Sequence, residues 1–351
     1  MSPSAHASST VNPIQWRDDR LVLLDQRLLP GAEIHVDCAT SAAVVTAIRD
    51  MVVRGAPAIG IAGAYGMVLA AREAWQRVGP AWRSDWQDAV TALREARPTA
   101  INLAWAVDRL VLAAQTLDGD PGLPLLVLAQ QLHAEDLAAN HRMGQLGAAL
   151  IAPGSTVMTH CNAGALATAG HGTALGVIRD AHAAGRIERV FATETRPWLQ
   201  GARLTSWELS REGIPVTLIT DGSAAHVMRA EAVAWLIVGA DRVAANGDVA
   251  NKIGTYGLAI AARAHGARVM VVAPLSTFDP ATPDGSAIHI EERAGEEITT
   301  IGGQRYAPAG VTAYNPVFDV TPAALIDVLV TEAGVIERPD RARIAALQAA
   351  R

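Results

Sequence analysis

Lysine is almost missing from this chain. Of its 29 Lys and Arg residues, one alone is a lysine, Lys252. Cysteine is scarce too: Cys38 and Cys161 are the only two in 351 residues. That excludes a disulfide framework and makes a reducing cytoplasm the expected compartment. Charged residues stand at 18%, below the usual share, so much of the surface is expected to be covered by a second domain or a subunit interface. Long apolar runs are lacking. The greasiest stretch, Ala56 to Ala71, is broken by glycines and too short to cross a bilayer, which excludes a membrane span. Positive charge is not in excess either. The formal net charge is −6, so nucleic acid is not an expected partner, although a local basic pocket for one small phosphate stays compatible. Met1 to Asn12 is small and polar without an apolar core, the pattern of a disordered tail and not of a signal peptide. The ten histidines are scattered. No His-x-x-x-His or Cys-x-x-Cys pair occurs, so no metal site is expected. Gly170-His171-Gly172-Thr173-Ala174-Leu175 ends on Leu where a dinucleotide fingerprint needs a small residue, which excludes a nicotinamide site there.

What is present divides in two. Ile14–Trp16 and Leu21–Leu24 flank Arg17-Asp18-Asp19-Arg20 as a β-hairpin, and Ile34–Val36 supplies a third short strand. Thr40-Ser41 caps a helix with apolar positions at Val44, Val45, Ile48 and Val52. Helical patterns follow over Ala81–Ala96, Ile101–Leu117 and Leu123–Leu150, until Ala152-Pro153-Gly154 marks a domain boundary. Beyond it, Thr156–Thr159, Arg189–Thr193, Val216–Thr220, Ala234–Val238 and Arg268–Ala273 are short apolar or β-branched runs. They alternate with helical patterns such as Thr173–Ala184 and Ala202–Glu212, which predicts a parallel sheet with right-handed crossovers. Thr321–Thr331 reads as a closing helix and the charged tail after Glu337 as frayed. The expected class is α/β: a small, mostly helical N-terminal domain with a short β-sheet, then a C-terminal parallel-sheet domain.

In such a sheet the carboxyl ends of the strands share one edge, where ligands bind. His160-Cys161-Asn162, Glu194-Thr195-Arg196, Asp221 and Asp241 all fall at these ends. Asp241 closes the run Trp235-Leu236-Ile237-Val238-Gly239-Ala240, and Lys252 follows eleven residues later, after Asn251. A composition that supplies Arg almost everywhere has placed here a compact ammonium, which a guanidinium cannot imitate. Cys161 and Asp241, at the ends of different strands, could face one ligand as a base and acid pair, the alternative for the thiol being an inert buried cysteine. Arg54-Gly55-Ala56-Pro57-Ala58-Ile59-Gly60 has the form of a bare helix N-terminus with an arginine beside it, suited to an anion. Gly60, Gly63 and Gly66 suit close helix packing equally well. Arg196, Gln200 and Arg203 could grip a phosphate or sugar hydroxyls, or form an interdomain network. His160, His171 and His226 could reach the crevice.

Five motifs then stand in order: Arg54 to Gly60; Arg97-Pro98-Thr99-Ala100-Ile101-Asn102-Leu103; Thr159-His160-Cys161-Asn162; Glu194-Thr195-Arg196-Pro197 with Gln200-Gly201-Ala202-Arg203-Leu204; and Gly239-Ala240-Asp241-Arg242 through Asn251-Lys252-Ile253-Gly254-Thr255. With them the chain resembles the methylthioribose-1-phosphate isomerases of methionine salvage over about residues 12 to 337. The resemblance implies a mostly helical N-terminal domain and a C-terminal Rossmann-like catalytic domain, assembled as a homodimer; with the tail and the boundary read above, these fall at 13–152 and 153–351 after a tail over 1–12. It implies an aldose–ketose isomerisation of a sugar phosphate without a cofactor. Asp241 matches the proton donor and Cys161 the residue assigned to transition-state stabilisation or proton transfer. Arg54, Gly55, Ala56, Arg97, Gln200, Asn251 and Lys252 match the substrate contacts. The chain departs from the pattern at Ala163, at His171, at Thr193 where an Asp often stands, and at Gly222-Ser223. Two readings on the same fold are the alternatives: a ribose-1,5-bisphosphate isomerase, and a non-catalytic regulatory subunit of the translation-initiation guanine-nucleotide exchange factor.

Overall fold

The structure, a computed structural model, describes residues 11–97 and 100–349. The expected tail lies outside these residues except for its last two, of which Val11 is buried against Leu24 and Leu29. The chain opens with an antiparallel sheet of β1 (Ile14–Arg17), β2 (Arg20–Leu24) and β3 (His35–Cys38). Helix α1 (Ser41–Arg49) starts at Thr40, whose hydroxyl accepts the Ala43 N–H at 3.2 Å. Helix α2 (Ala56–Val78) is buried on almost every side, so its sequence shows no clean amphipathic stripe. Around it pack α3 (Trp82–Asp85), α4 (Gln87–Arg94), α5 (Ile101–Ala114) and α6 (Gly122–Ala148). The single helix expected over Ala81–Ala96 is thus broken at Trp86, where Trp82 and Trp86 meet edge to face at 4.9 Å. Of the break before α5, Pro98 and Thr99 lie outside the described residues.

The expected parallel sheet follows. Its parallel strands and the helices between them are β4 (Ser155–Thr159), α7 (Ala174–Ala183), β5 (Ile187–Thr193), α8 (Ser206–Arg211), β6 (Val216–Ile219), α9 (Ala224–Ala230) and β7 (Trp235–Val238). A short antiparallel pair, β8 (Arg242–Ala244) and β9 (Val249–Lys252), comes next, then α10 (Thr255–Ala264), β10 (Arg268–Val272) and β11 (Phe278–Asp279). An arm carries α11 (Glu296–Thr299) and the hairpin β12 (Thr300–Ile301) and β13 (Gln304–Arg305). The chain returns through β14 (Phe318–Thr321), β15 (Val328–Thr331), β16 (Gly334–Glu337) and α12 (Arg341–Ala349).

Two expectations about the end of the chain are corrected. Thr321–Thr331 is not a helix: β14 joins the edge of a small second sheet and β15 runs parallel to β10 in the main one. A short apolar run such as Val328-Leu329-Val330 has no periodicity that separates a buried strand from a buried helix. The tail after Glu337 is helical, because Ile344, 2% exposed, anchors α12 to the core. Asn251 and Lys252 end strand β9, between β8 and β14, directly after the turn at Gly247.

Gly60, Gly63 and Gly66 in α2 were open between an anion site and close packing. Packing is what they do. A Cβ on Gly60 would lie 2.9 Å from the backbone oxygen of Asn102, and one on Gly63 2.4 Å from Leu103 Cδ1, both on α5; one on Gly66 would meet Leu93 Cδ2 at 2.7 Å. The three do not act alike, because a carbonyl cannot yield whereas a leucine methyl can turn away. Gly60→Ala is therefore expected to destabilise by about 2 kcal/mol. Gly66→Ala should cost less than about 1 kcal/mol, its overlap partly offset by the better helix propensity of Ala. Denaturant midpoints of the two variants check the order; equal losses would show that α2 and α5 can part freely.

Candidate active site

The order across the main sheet is β6-β5-β4-β7-β10-β15-β16, parallel except for β16. From β4 the chain winds outward through β5 and β6. It then returns to the other side of β4 and winds outward again through β7, β10 and β15. Successive connections therefore leave β4 and β7 on opposite sides, and a crevice opens between their carboxyl ends. Cys161 lies just past the end of β4 and Asp241 just past the end of β7. The N-terminus of α2 faces them. Gly55 has φ +97°, and a Cβ there would fall 2.6 Å from that of Ala167, so only glycine lets the helix start this close to the sheet. No side chain caps its first turn, which leaves backbone N–H groups and the positive end of the helix dipole directed at the crevice.

Arg54, Gly55, Ala56, Cys161, Asn162, Asp241 and Asn251 share the walls of a cavity of about 30 Å³, with Pro57, Gly239 and Pro274 among its other walls. A roomier groove of about 590 Å³ runs along α5 and α6 and shares Pro57 and Pro274 with it. Volume alone would favour the groove, but the thiol and Asp241 converge in the small cavity. Arg54 is fixed by two bonds, to Asn162 Oδ1 at 2.5 Å and to the Asn162 carbonyl at 2.7 Å. Asn162 in turn donates at 2.9 Å to Glu208, a fully buried carboxylate paired with Arg179. Gln200 lies behind the thiol, and its Nε2–H donates to Cys161 Sγ at 3.3 Å. Asn251 donates to Thr255 Oγ1 at 3.0 Å. Lys252, 6% exposed, donates to the Val317 carbonyl at 2.8 Å and sits 4.3 Å over the Phe318 ring.

Arg97 is held near Glu291, at 3.8 Å, and Glu291 also meets Arg293 at 3.5 Å. Four cations, Arg54, Arg97, Lys252 and Arg293, thus gather around two carboxylates, Asp241 and Glu291. Burial raises the Asp241 carboxyl above the usual carboxylate range, against the pull of Lys252, Arg54 and Arg97, and Glu291 adds to the rise. Burial also brings the Lys252 ammonium down to about 8, with Cys161 and Asp241 opposing the fall and Arg293 and Arg54 assisting it.

Six of the nine predicted residues share the walls of this crevice. Arg54, Gly55, Ala56, Cys161, Asp241 and Asn251 line it; Gln200 reaches it through the thiol, and Arg97 and Lys252 through their charges. Several other candidates do different work. Arg196 donates to the carbonyls of Glu297 and Ile298, and Arg203 to those of Gln26, Arg27 and Leu29, so these arginines bind backbone and not an anion. His171 stacks with His141 beside Asp180, and His226 is exposed. His160 comes close but is buried under the strand ends. Sequence reasoning missed Glu291 and Arg293. Their one signal was the dense charge of Glu291-Glu292-Arg293, which resembles any solvated loop.

Residues 52–338 match the Initiation factor 2 subunit family. A methylthioribose-1-phosphate isomerase of Thioalkalivibrio sulfidiphilus is 55% identical over 351 residues, 99% of each chain. The structure of 5-methylthioribose 1-phosphate isomerase from Pyrococcus horikoshii OT3 is similar at a TM-score of 0.90 with 40% identity, over 98% of this chain and 97% of that one. A structure described as translation initiation factor eIF-2B, subunit delta, from A. fulgidus is similar at a TM-score of 0.85 with 41% identity, over 96% of this chain and 99% of that one.

The buried lysine carries a pH signature. A Lys whose folded pKa falls to about 8 from an ordinary 10.5 costs stability in full below the folded value. The cost is relieved as pH rises through that window, where the unfolded chain binds the extra proton. Relative to Lys252→Met, the parent should therefore gain stability between pH 8 and pH 10. Urea midpoints of both proteins at pH 7.5 and pH 10 measure this; a difference independent of pH would mean that the ammonium is not buried at a cost.

Proposed function

The chain belongs to the Initiation factor 2 subunit family and, within it, to the methylthioribose-1-phosphate isomerases, and on that premise we propose that Asp241 and Cys161 are its catalytic pair. The reaction is an aldose–ketose isomerisation, 5-methylthioribose 1-phosphate to 5-methylthioribulose 1-phosphate, in methionine salvage. One observation supports the residue assignment above others: a carboxyl raised by burial and a thiol gripped by a side-chain amide face one cavity, beneath a bare helix N-terminus. A scaffolding subunit need not keep Cys161, Asp241 and Lys252 together, so their joint presence argues against that reading.

The substrate sets an unusual problem. Its anomeric oxygen carries the phosphate, so the sugar cannot open to a free aldehyde. In this reading Asp241 enters protonated and gives its proton to the ring oxygen, which breaks the bond from C1 to that oxygen. The cation left at C1 acidifies C2, and Cys161, as thiolate, takes the C2 proton to leave a phosphorylated enediol. Return of that proton to C1, with loss of the C2 hydroxyl proton to the Asp241 carboxylate, yields the ketone and restores both groups. Arg54 and the first turn of α2, with Gly55 and Ala56, hold the phosphate; Arg97, Gln200, Asn251 and Lys252 complete the grip. Raising the proton affinity of Asp241 is what this scheme asks of burial, since an ordinary carboxyl is ionised at neutral pH.

The same reading places a domain boundary near Ala152, with the site at the junction. Its support is that α2 supplies one wall and the sheet the others. It includes a homodimer, supported by the low share of charged residues, and a cytoplasmic location, supported by two free cysteines. No helix among the described residues is long and apolar enough to cross a membrane.

Incubation with 5-methylthioribose 1-phosphate should convert the anomeric carbon signal into a ketone carbon in the NMR spectrum. Asp241→Asn should lower kcat by about 10³-fold and Cys161→Ser by about 10²-fold, with the fold retained by circular dichroism. Near-parental turnover in Asp241→Asn would remove the acid from the scheme. In deuterated water, label at C1 of the product supports transfer through the thiol; its strict absence supports a hydride shift instead.

A further inference from the structure

Cys161 is held by something the reaction scheme does not use. Its backbone has φ +67°, and that of Thr195 has φ +62°. Each is a left-handed conformation that costs a residue with a Cβ about 1–2 kcal/mol. A chain of hydrogen bonds connects the two. The Cys161 N–H donates to Thr195 Oγ1 at 2.9 Å, Thr195 Oγ1 lies 3.1 Å from Thr193 Oγ1, and Thr193 Oγ1 lies 2.6 Å from His160 Nδ1. At its far end His160 Nε2 is 2.8 Å from the carbonyl of Ile253, the residue after Lys252. His160, Thr193 and Thr195 are all at most 1% exposed.

The direction of the chain is determined by its ends. A carbonyl only accepts, so Nε2 carries the proton. The ring is neutral because burial lowers its pKa, so Nδ1 accepts and the Thr193 hydroxyl must donate to it. Thr193 Oγ1 then accepts from the Thr195 hydroxyl, and Thr195 Oγ1 accepts from Cys161. The Thr195 hydroxyl also lies 3.3 Å from the Thr193 carbonyl and 3.4 Å from His160 Nδ1, and every member has a partner. Thr195 is itself pinned: its N–H and that of Arg196 donate to the Asp221 carboxylate at 2.8 and 2.7 Å. Gly201 makes room for the turn, since a Cβ there would lie 1.8 Å from the Thr193 oxygen. The chain therefore ties the ends of β4 and β5 to the end of β9.

We infer that His160, Thr193 and Thr195 are positioning residues, which hold the Cys161 backbone in its left-handed conformation and fix the thiol in register with Asn251 and Lys252. The inference rests on the reading of Cys161 as the residue beside the reacting carbon. None of the three touches the cavity proton path. Their effect passes through the placement of Sγ, where a shift on the order of 1 Å is worth about 10²-fold in rate.

The test compares Thr195→Val, which removes the acceptor and donor but keeps the shape, with Thr195→Ser, which keeps both. Thr195→Val should lower kcat at least about tenfold with KM within about threefold of the parent, and Thr195→Ser should recover kcat to within about threefold. Iodoacetamide labelling without substrate, read by mass spectrometry, reports placement independently of turnover. Cys161 in Thr195→Val should label at least about threefold faster as the thiol leaves its shielded position, while the fully buried Cys38 serves as internal control. Parental kcat in Thr195→Val overturns the inference, as does a kcat loss with unchanged Cys161 labelling or without rescue by serine. Should Thr195→Val fail to fold, Thr195→Ala, smaller than the space it fills, carries the same comparisons. Full turnover in Cys161→Ser would end the catalytic reading instead, and the labelling result would still decide the positioning.

Discussion

Strands β4 and β7 lie side by side while the chain leaves them in opposite directions, and the site depends on the gap this creates. Helices that follow strands in one sense of winding cover the sheet without interruption. Where the winding reverses, no connection crosses between the two carboxyl ends, and the edge stays open to a ligand. Cys161 and Asp241 are delivered to either side of that opening by the first residues past their strands. Gly55, by having no side chain, lets α2 come down over the third side. Were either feature changed, the thiol and the acid would still be at the ends of strands but without a shared cavity or an anion-binding end above it.

The charges around that opening are arranged at the expense of stability. A lysine is buried at the end of β9 and an aspartate carboxyl stands nearby, each pushed toward its neutral form. A chain that needed only a positive charge there had 28 precedents for arginine in its own composition. An ammonium differs in that it is compact and its pKa shifts readily on burial; here it packs over Phe318 and donates to the Val317 carbonyl. Arginines are instead used where a planar fork can hold several acceptors. Arg203 collects three carbonyls from the loop around Gln26, and Arg54 takes both oxygens of Asn162. The division of labour explains why Arg196 and Arg203, next to Gln200 in the sequence, are structural while Gln200 meets the thiol.

Much of this was legible in the residues and some was not. The alternation of apolar runs and helical patterns after Gly154 specified a parallel sheet, and the polar residues ending each run specified where chemistry would gather, because both follow from local pattern. The motifs from Arg54 to Lys252 carried the family. Strand order was not legible, since nothing local distinguishes β7 returning beside β4 from β7 continuing beyond β6. Nor were β15 and α12, whose few apolar residues take their form from the neighbours they pack against. Glu291, Arg293 and the hydrogen-bonded chain through His160, Thr193 and Thr195 join residues far apart along the sequence. By itself, then, the sequence determined which side chains are available and at which strand and helix ends they stand. Only the tertiary structure decided which of those ends meet and which charges are stripped of water there, because pairing between distant segments and burial are properties of the packed chain and not of any stretch within it.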